Sequence, residues 1–350
     1  MSLPDTPRIL FFADAGPEVG GGHVMRCLTL AHALAERGAE CAFVESRAAA
    51  QILRRFGWPS QTLLAMANAE DLAGQVDYAA DIAGRFQADV VVVDHYHADA
   101  VHEDALRGDG RRLVAIDDLA DRAHHVDLLV DPGFGRRQEH YDDLIPANCP
   151  VRLGPMHALV RPEFAAARQR ALSRRAKHGP VRRALVSLGL TDLGGVTERV
   201  VRALREDLGE TRLDVVIGGN APSLPWLTVA ASADRRIHLW VDTTEMASLM
   251  ADADIAIGAG GSSTWERAVV GLPTATLVLA DNQRGMIAQM ADAGLTLAIE
   301  AAAPDFERQV RAAWTSLTAD HELRWRLAER TSELCDGHGA DRVAEAVLKL

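Results

Sequence analysis

The sequence has few of the residues that build disulfides, metal centres or nucleic-acid interfaces. Its four cysteines lie far apart and form no CxxC pair, and neither an HExxH motif nor a close His/Cys cluster occurs. We therefore predict buried free thiols, no metal site and no cofactor. The net charge of −12 disfavours a nucleic-acid partner, because nucleic-acid-binding proteins present a basic surface.

Long apolar runs and the common nucleotide-binding fingerprints are also missing. No stretch is long and apolar enough to span a bilayer, and Pro4, Asp5, Pro7 and Arg8 interrupt any secretory signal. Neither GxxxxGK[ST] nor GxGxxG occurs where a strand leads into a helix. We expect a cytoplasmic protein without a membrane partner. The oligomeric state is left open, and a monomer is compatible with the sequence.

Short apolar runs alternate with helical periodicities along both halves of the 350-residue chain. Runs that are apolar throughout indicate parallel strands buried on both faces. The predicted strands of the first half span residues 8–13, 40–46, 89–94, 112–117 and 127–130. Those of the second half span residues 183–188, 213–218, 237–240, 254–258, 274–279 and 296–299. The alternation predicts an α/β fold with two Rossmann-like domains that face each other across a cleft.

Prolines and glycines interrupt this rhythm near the middle of the chain, and a charged helical run follows them. We place the first domain at residues 1–160, a linker helix at 161–180 and the second domain at 181–330. Helical patterns continue through residues 331–350.

The first predicted strand ends in a loop with three glycines, Gly20, Gly21 and Gly22, and His23 follows at the start of a helix. Glycines let a ligand approach the backbone. The positive end of the helix would keep the imidazole neutral, as a general base requires. Asp14, which ends the preceding strand, is a candidate to hold the other ring nitrogen.

A second glycine-rich loop follows the strand predicted at 254–258 and opens a helix. Its glycines and hydroxyl residues are Gly260, Gly261, Ser262, Ser263 and Thr264. Free backbone groups, hydroxyls, an N-cap and a helix end suit a diphosphate, although a small-residue loop can also simply cap a helix. Glu266 could accept the two hydroxyls of a ribose or merely complement the helix dipole.

Polar side chains also follow two other strands, at the sheet edge where α/β proteins bind ligands. Asp94 and His95 end an unbroken valine run, and Asn282 and Gln283 follow the strand predicted at 274–279. These four residues are candidate substrate contacts, although Asp94 could equally cap the next turn.

Five motifs in register carry a family resemblance. They are GGGHVMRCLTLAHAL, VDHY, RLGPMHALVRPEF, LGLTD and GAGGSSTWERAVVGLP with LADNQ. Together they resemble the pseudaminic acid pathway hydrolases (PseG), which act on UDP-2,4-diacetamido-2,4,6-trideoxy-β-L-altropyranose. The second half is also similar to the nucleotide-binding half of MurG-type glycosyltransferases. The resemblance implies a GT-B fold, a C-terminal helix that crosses back to the first domain, and inverting hydrolysis without a metal.

The resemblance also implies roles for particular residues. His23 would be the catalytic base, Tyr96 would be the tyrosine of the cleft, and Asn282 would lie near the sugar. UDP would contact the loop at 260–264 through its diphosphate and Glu266 through its ribose. The remaining UDP contacts would be Gly189, in place of a glycine pair common in the family, and Val241 and Met246 beside the uracil. Phe12 stands where many members carry an arginine.

Two other functions remain open. An inverting MurG-like glycosyltransferase would use a sugar hydroxyl in place of water. Such an enzyme acting on lipid acceptors is expected to show an apolar or basic membrane-facing run, and the first half has none. A non-catalytic nucleotide-sugar-binding protein would keep the glycine loops but would not need His23.

Overall fold

The structure is a computed structural model that describes residues 3–14, 16, 21–59, 62–65, 71–108, 110–177 and 179–350. The chain divides into two compact units. Unit 1 comprises Met1–Val160 and His338–Leu350, and unit 2 comprises Arg161–Gly337. Gly20, the first glycine of the predicted triplet, lies outside the described residues.

The described part of unit 1 forms a seven-stranded parallel sheet with helices on its faces. Its strands are β1 (Arg8–Ala13), β2 (Glu40–Glu45), β3 (Leu63–Ala65), β4 (Val90–Asp94), β5 (Arg112–Ile116), β6 (Leu128–Asp131) and β7 (Val151–Leu153). Its helices are α1 (Gly22–Ala35), α2 (Arg47–Arg55), α3 (Leu72–Phe86), α4 (Ala100–Arg107) and, from the C-terminus, α13 (Gly339–Val347). The strand order is β3-β2-β1-β4-β5-β6-β7.

Strand β1 shows why this sheet is apolar on both faces. Ile9 and Phe11 join a core that includes the buried face of α1 and α13, whereas Leu10 and Phe12 join a second core with α3. Successive side chains of a strand point to opposite faces, so a sheet covered on both sides needs an apolar residue at every position.

The described part of unit 2 forms a six-stranded parallel sheet in the order β10-β9-β8-β11-β12-β13. Its strands are β8 (Arg183–Ser187), β9 (Arg212–Ile217), β10 (Ile237–Val241), β11 (Ile255–Ala259), β12 (Thr274–Val278) and β13 (Leu297–Glu300). Its helices are α5 (Pro162–Arg175), α6 (Val196–Leu204), α7 (Leu224–Ala233), α8 (Met246–Asp252), α9 (Ser263–Val269), α10 (Asp281–Asp292), α11 (Phe306–Ala319) and α12 (His321–Ser332).

Both sheets reverse their strand order once, and this reversal locates the candidate sites. In unit 1 the order reverses between β1 and β4, which pair side by side with Ala13 level with Asp94. In unit 2 the order reverses between β8 and β11. Ligands of open α/β sheets bind beyond the carboxyl ends of the strands at such switch points.

The predicted α/β class is confirmed by the two parallel sheets. The structure adds the short strands β3 and β7 and the helix α7, which the sequence patterns did not indicate. The final helical stretch is two helices, α12 and α13, and Gly337 between them has φ of +89°. Among the described helices, none has the length and apolar character to cross a membrane.

Candidate functional site

His23 lies at the switch point of unit 1, in the first turn of α1, and its ring faces the end of β4. Its Nδ1 atom is 3.0 Å from Oδ1 of Asp94 and 3.2 Å from the Asp94 carbonyl oxygen. Both neighbours accept hydrogen bonds, so Nδ1 must carry a proton. The neutral ring therefore has its lone pair on Nε2, the nitrogen that can receive a proton from a substrate or a water.

Asp94 is fully buried and is held by an arginine that the sequence analysis did not single out. Nε and Nη2 of Arg26 each donate to the Asp94 carboxylate at 2.6 Å, and Nη1 donates to Asp118 at 2.8 Å. The Cys27 thiol adds a contact of 3.5 Å to the same carboxylate. Burial alone would raise the pKa of Asp94, but the charges and hydrogen bonds of Arg26 and His23 together outweigh burial and hold that pKa well below its usual range.

The expectation that the helix end keeps His23 neutral is wrong. Burial lowers the pKa of the ring, but the charge and hydrogen bond of Asp94 outweigh burial and raise the pKa above its ordinary value. The helix potential is a partial charge, whereas Asp94 supplies a full charge in direct contact.

Two further predictions are wrong because Asp94 is the residue that pairs with His23 and Arg26. Asp14 was expected to hold His23, but the structure gives that role to Asp94, and the Asp14 carboxylate lies 3.8 Å from Nε2 of His95. Asp94 was expected to contact substrate, but it is completely buried and both of its oxygens accept hydrogen bonds from the protein. Asp94 therefore positions His23 and Arg26.

His95 has the opposite tautomer from His23. Its Nδ1 accepts a hydrogen bond from the backbone N–H of His97 at 3.1 Å, so the neutral ring carries its proton on Nε2. Burial lowers the pKa of His95 and favours this neutral form. Phe12 is buried and stacks on the His95 ring with centroids 5.6 Å apart. His95 is therefore built to donate a hydrogen bond rather than to take up a proton.

The other predicted residues of unit 1 lie around His23. The Tyr96 ring meets the His23 ring edge-on, with centroids 4.4 Å apart. Gly21 is the N-cap residue of α1 and Gly22 is its first residue, and both are partly exposed. The structure thus brings His23, Tyr96, His95 and these two glycines together, and their contacts with substrate stay a prediction.

The glycine loop of unit 2 joins β11 to α9 at the second switch point. Gly260 is buried, and a Cβ there would lie 2.2 Å from Cδ1 of Ile287, so the close packing of the loop on α10 requires glycine. Among the described residues, none hydrogen-bonds the N–H groups of Gly261 and Ser262. The Ser262 side chain is exposed, and Ser263 is partly exposed.

Two details of this loop differ from expectation. Ser262 precedes α9 but its side chain makes no capping hydrogen bond, because its backbone is already helical. The Thr264 hydroxyl is buried between the Ala259 carbonyl and Arg267, and its N–H bonds to Gly261, so both groups already have partners within the protein and the contact of Thr264 with UDP stays a prediction. Helix α9 has only seven residues, so its dipole adds little positive potential.

Arg267 supplies a full positive charge to the same loop. The side chain is 3% exposed, and it donates hydrogen bonds to the Ala259 carbonyl at 2.7 Å and to Ser263 Oγ at 3.0 Å. Burial lowers its pKa to about 10. No carboxylate among the described residues forms an ion pair with this guanidinium.

Glu266 already has a partner in unit 2. Its Oε1 atom accepts hydrogen bonds from Nε and Nη2 of Arg161 at 3.1 and 3.0 Å. Burial lowers the pKa of Arg161, but the charges of Glu266 and Glu163 and the hydrogen bond to Glu266 together raise it above its ordinary value. No described residue donates a hydrogen bond to Oε2, so the predicted contact of Glu266 with a ribose stays a prediction that this arrangement allows.

The remaining predicted residues of unit 2 lie at strand ends. Gly189 is exposed after β8 with φ of +103°, Val241 is 43% exposed at the end of β10, and Met246 begins α8. The Gln283 side-chain oxygen accepts a hydrogen bond from the Leu279 N–H at 3.0 Å, and Asn282 is exposed beside it. Their predicted contacts with UDP and the sugar remain predictions.

Arg26 and Arg267 are the important residues that sequence reasoning missed. Each is the fifth residue of the helix that follows a glycine-rich loop, and each stands among apolar neighbours on a buried helix face. An arginine in that setting is the signal that could have identified them, because a buried guanidinium needs a specific set of acceptors. Among the described residues, no cluster of three or more His, Cys, Asp or Glu side chains could hold a metal ion.

Two units in one chain, each built on a doubly wound parallel sheet, are characteristic of the GT-B class of folds. A crystal structure of MurG from Acinetobacter baumannii has a TM-score of 0.69 with this chain at 16% identity. The match covers 98% of this chain and 100% of that one. The protein therefore has the GT-B fold. No protein-family model matches the chain.

Two relatives found by sequence similarity have more specific names. The chain is 23% identical over 249 residues to the UDP-2,4-diacetamido-2,4,6-trideoxy-β-L-altropyranose hydrolase of Campylobacter jejuni, across 71% of this chain and 82% of that protein. It is 24% identical over 339 residues to the spore coat polysaccharide biosynthesis protein SpsG of Bacillus subtilis, across 95% of both. These similarities are distant.

Proposed function

We propose that this protein hydrolyses a UDP-linked diacetamido-trideoxyhexose to UDP and the free sugar, with inversion at the anomeric carbon, as a step of pseudaminic acid biosynthesis. The substrate we favour is UDP-2,4-diacetamido-2,4,6-trideoxy-β-L-altropyranose, on which the distant relative from Campylobacter jejuni acts by its name. The observation that carries the proposal is the buried His23–Asp94–Arg26 array, because it prepares one imidazole nitrogen to accept a proton.

In the proposed reaction, Nε2 of His23 removes a proton from a water molecule that attacks the anomeric carbon. The bond from that carbon to the β-phosphate oxygen breaks, and UDP leaves with the bonding electrons. Asp94 stabilises the imidazolium that forms, and the proton later passes to solvent. A positioned general base contributes about 10²–10⁴-fold to such a step.

The loop of unit 2 would hold the leaving group. The N–H groups of Gly261 and Ser262 and the hydroxyls of Ser262 and Ser263 can donate to phosphate oxygens, and charge that develops there is stabilised by fixed donors. A UDP leaving group needs no acid to protonate it, so a single base is sufficient chemistry.

The test is to incubate the protein with a panel of UDP-sugars in ¹⁸O-water and to follow UDP release with and without added sugar acceptors. Hydrolysis at the anomeric carbon places the label in the sugar, and NMR of the fresh product reports the anomer. Release that depends on an acceptor would instead indicate a glycosyltransferase. UDP binding without release from any sugar would indicate a non-catalytic binding protein.

His23→Ala provides the matched variant. We expect turnover to fall by about 10²–10⁴-fold while UDP affinity stays within about twofold, because the ring acts on water rather than on UDP. His140→Ala removes an exposed imidazole of the same unit and should leave turnover unchanged. Near-normal turnover in His23→Ala would contradict the proposed base.

A further inference from the structure

Arg267 is a buried cation with no described carboxylate among its hydrogen-bond partners. The charge of Glu266 acts on it, but Glu266 is already paired with Arg161. The acceptors of Arg267 are the Ala259 carbonyl and the Thr264 hydroxyl, both bonded to Nη2, and the Ser263 hydroxyl, bonded to Nη1. All three are neutral groups. Burying a guanidinium without a carboxylate is costly, and neutral hydrogen-bond acceptors recover only part of the lost hydration.

Arg26 shows the alternative arrangement, in which carboxylates balance the charge of a buried arginine. Arg26 occupies the same position, the fifth residue of its helix, and it is paired with both Asp94 and Asp118. Arg267 also donates three hydrogen bonds, but no described carboxylate accepts any of them. The unit 2 loop thus keeps a net positive charge directly behind it.

The position of this guanidinium is set tightly from both sides. Its hydrogen bonds join Ala259, where the loop begins, to Ser263 and Thr264, where the loop ends. On the other side, a Cβ at residue 258 would lie 2.5 Å from Nη1 and 2.6 Å from Cζ of Arg267. The guanidinium therefore fits against β11 only because residue 258 is glycine. The guanidinium thereby fixes the distance between the two ends of the loop.

We propose that Arg267 is a positioning residue for a diphosphate: it holds residues 259–264 in the shape that presents their N–H and hydroxyl donors, and its unbalanced charge attracts the anion. This inference deepens the proposed function and rests on it for the identity of the nucleotide. A bound diphosphate would supply the negative charge that the hydrogen-bond partners of Arg267 lack. Arg267 would act through the loop, and the donors of Gly261, Ser262 and Ser263 would contact the phosphates.

The experiment measures binding of UDP, uridine and inorganic pyrophosphate to the full chain by titration calorimetry, with competition for the weak ligands. The variants are Arg267→Met, which removes the charge, and Arg267→Lys, which keeps it but loses the forked geometry. Gly258→Ala is a second perturbation, which displaces the guanidinium without changing its charge.

Arg175→Met is the matched control. Arg175 is a partly buried arginine of unit 2 whose Nε and Nη1 atoms are buried; burial lowers its pKa to about 9, and it donates to the Met250 carbonyl at 2.7 Å in α8. A purely structural effect of removing a buried guanidinium should appear in this variant as well.

We expect Arg267→Met to weaken UDP and pyrophosphate by about tenfold or more, because a charge a few ångströms from the anion is removed from a poorly solvated site. Uridine affinity should stay within about twofold, Arg267→Lys and Gly258→Ala should fall between, and Arg175→Met should bind all three ligands like the parent protein. Equal losses for UDP and uridine, or no loss, would overturn the inference. If Arg267→Met does not fold, the lysine and alanine variants decide by the same ratio.

The two proposals fail separately. A parent protein that binds pyrophosphate through Arg267 but shows no preference for UDP would contradict the proposed nucleotide and leave the role of Arg267 standing. A parent protein that binds UDP, with Arg267 variants that bind it equally well, would contradict only the role of Arg267. A parent protein that binds neither anion would contradict both.

Discussion

Asp94→Asn perturbs the buried array of unit 1 at its centre. In the parent protein the Asp94 carboxylate accepts two hydrogen bonds of 2.6 Å from Arg26 and one of 3.0 Å from His23. The amide offers one acceptor oxygen and turns an NH₂ group toward groups that are themselves donors. The only carboxylate that still pairs with Arg26 among the described residues is then Asp118, whose side chain is 28% exposed.

The expected loss of stability follows from this geometry. Removing one partner of a buried ion pair costs about 3–5 kcal/mol, because the other charge stays buried without compensation. Asp341→Asn is the matched control in the same unit, since Asp341 pairs with Arg37 at 2.8 Å but is 43% exposed. Solvent screens that pair, so we expect its loss to cost less than about 1 kcal/mol.

The assay is hydrogen–deuterium exchange in increasing urea, followed on peptides from α1 and β4. Peptides from β11 of unit 2 serve as an internal reference, so the measurement reports on unit 1 alone. Asp94→Asn should shift the exchange midpoint of α1 and β4 far more than Asp341→Asn, with little change in β11. Equal shifts for the two variants would refute the claim that the Asp94 charge holds this part of the molecule together.

Three more predictions concern the site. Because Asp94 raises the pKa of His23 and the base must be neutral, kcat/KM should fall as the pH drops through a midpoint above about 6.5. In Asp94→Asn, burial dominates the pKa of His23, so this midpoint should move below 6.5. A midpoint that does not move would contradict the assignment of His23 as the base. Glu266→Ala should weaken UDP but hardly affect 2′-deoxy-UDP, measured by calorimetry, and equal losses would move the ribose site elsewhere. Turnover should survive EDTA, because the proposed diphosphate site relies on Arg267 and N–H groups, and loss that Mg²⁺ restores would contradict this arrangement.

The fold was predictable because the strands are buried on both faces. Continuous apolar runs such as residues 90–93 indicate parallel strands whatever packs on them, and the helices between them showed their periodicity. Strands β3 and β7 have three residues each, too few for a pattern to appear. Helix α7 was missed because it has no charged residue and places a valine, Val229, on its exposed side, so its apolar and polar faces differ little.

The sequence indicated where the residues of the candidate site lie along the chain, but not which of them pair with one another. Glycines and polar residues after strands marked the switch points, since topology brings the carboxyl ends of parallel strands to one edge. The pairing of His23 with Asp94 depends on β1 and β4 lying side by side, which joins residues 71 positions apart and leaves no local signal. Asp14 was the predicted partner of His23 because it is close in sequence, but the strand order places Asp94 beside His23 instead.

The two switch points share a buried arginine at the same helix position, but the net charge around that arginine has the opposite sign in the two units. Each has an arginine at the fifth residue of the helix after its glycine loop. In unit 1 two carboxylates balance Arg26, and the surplus negative charge of Asp94 and Asp118 raises the pKa of His23. In unit 2 the described partners of Arg267 are neutral, so its loop stays positive. A base needs nearby negative charge to hold the proton that it takes, and a departing diphosphate needs positive charge. The two loops are therefore not interchangeable, and the charge of each, rather than its glycines, is what favours the proposed proton transfer in unit 1 and the proposed anion binding in unit 2.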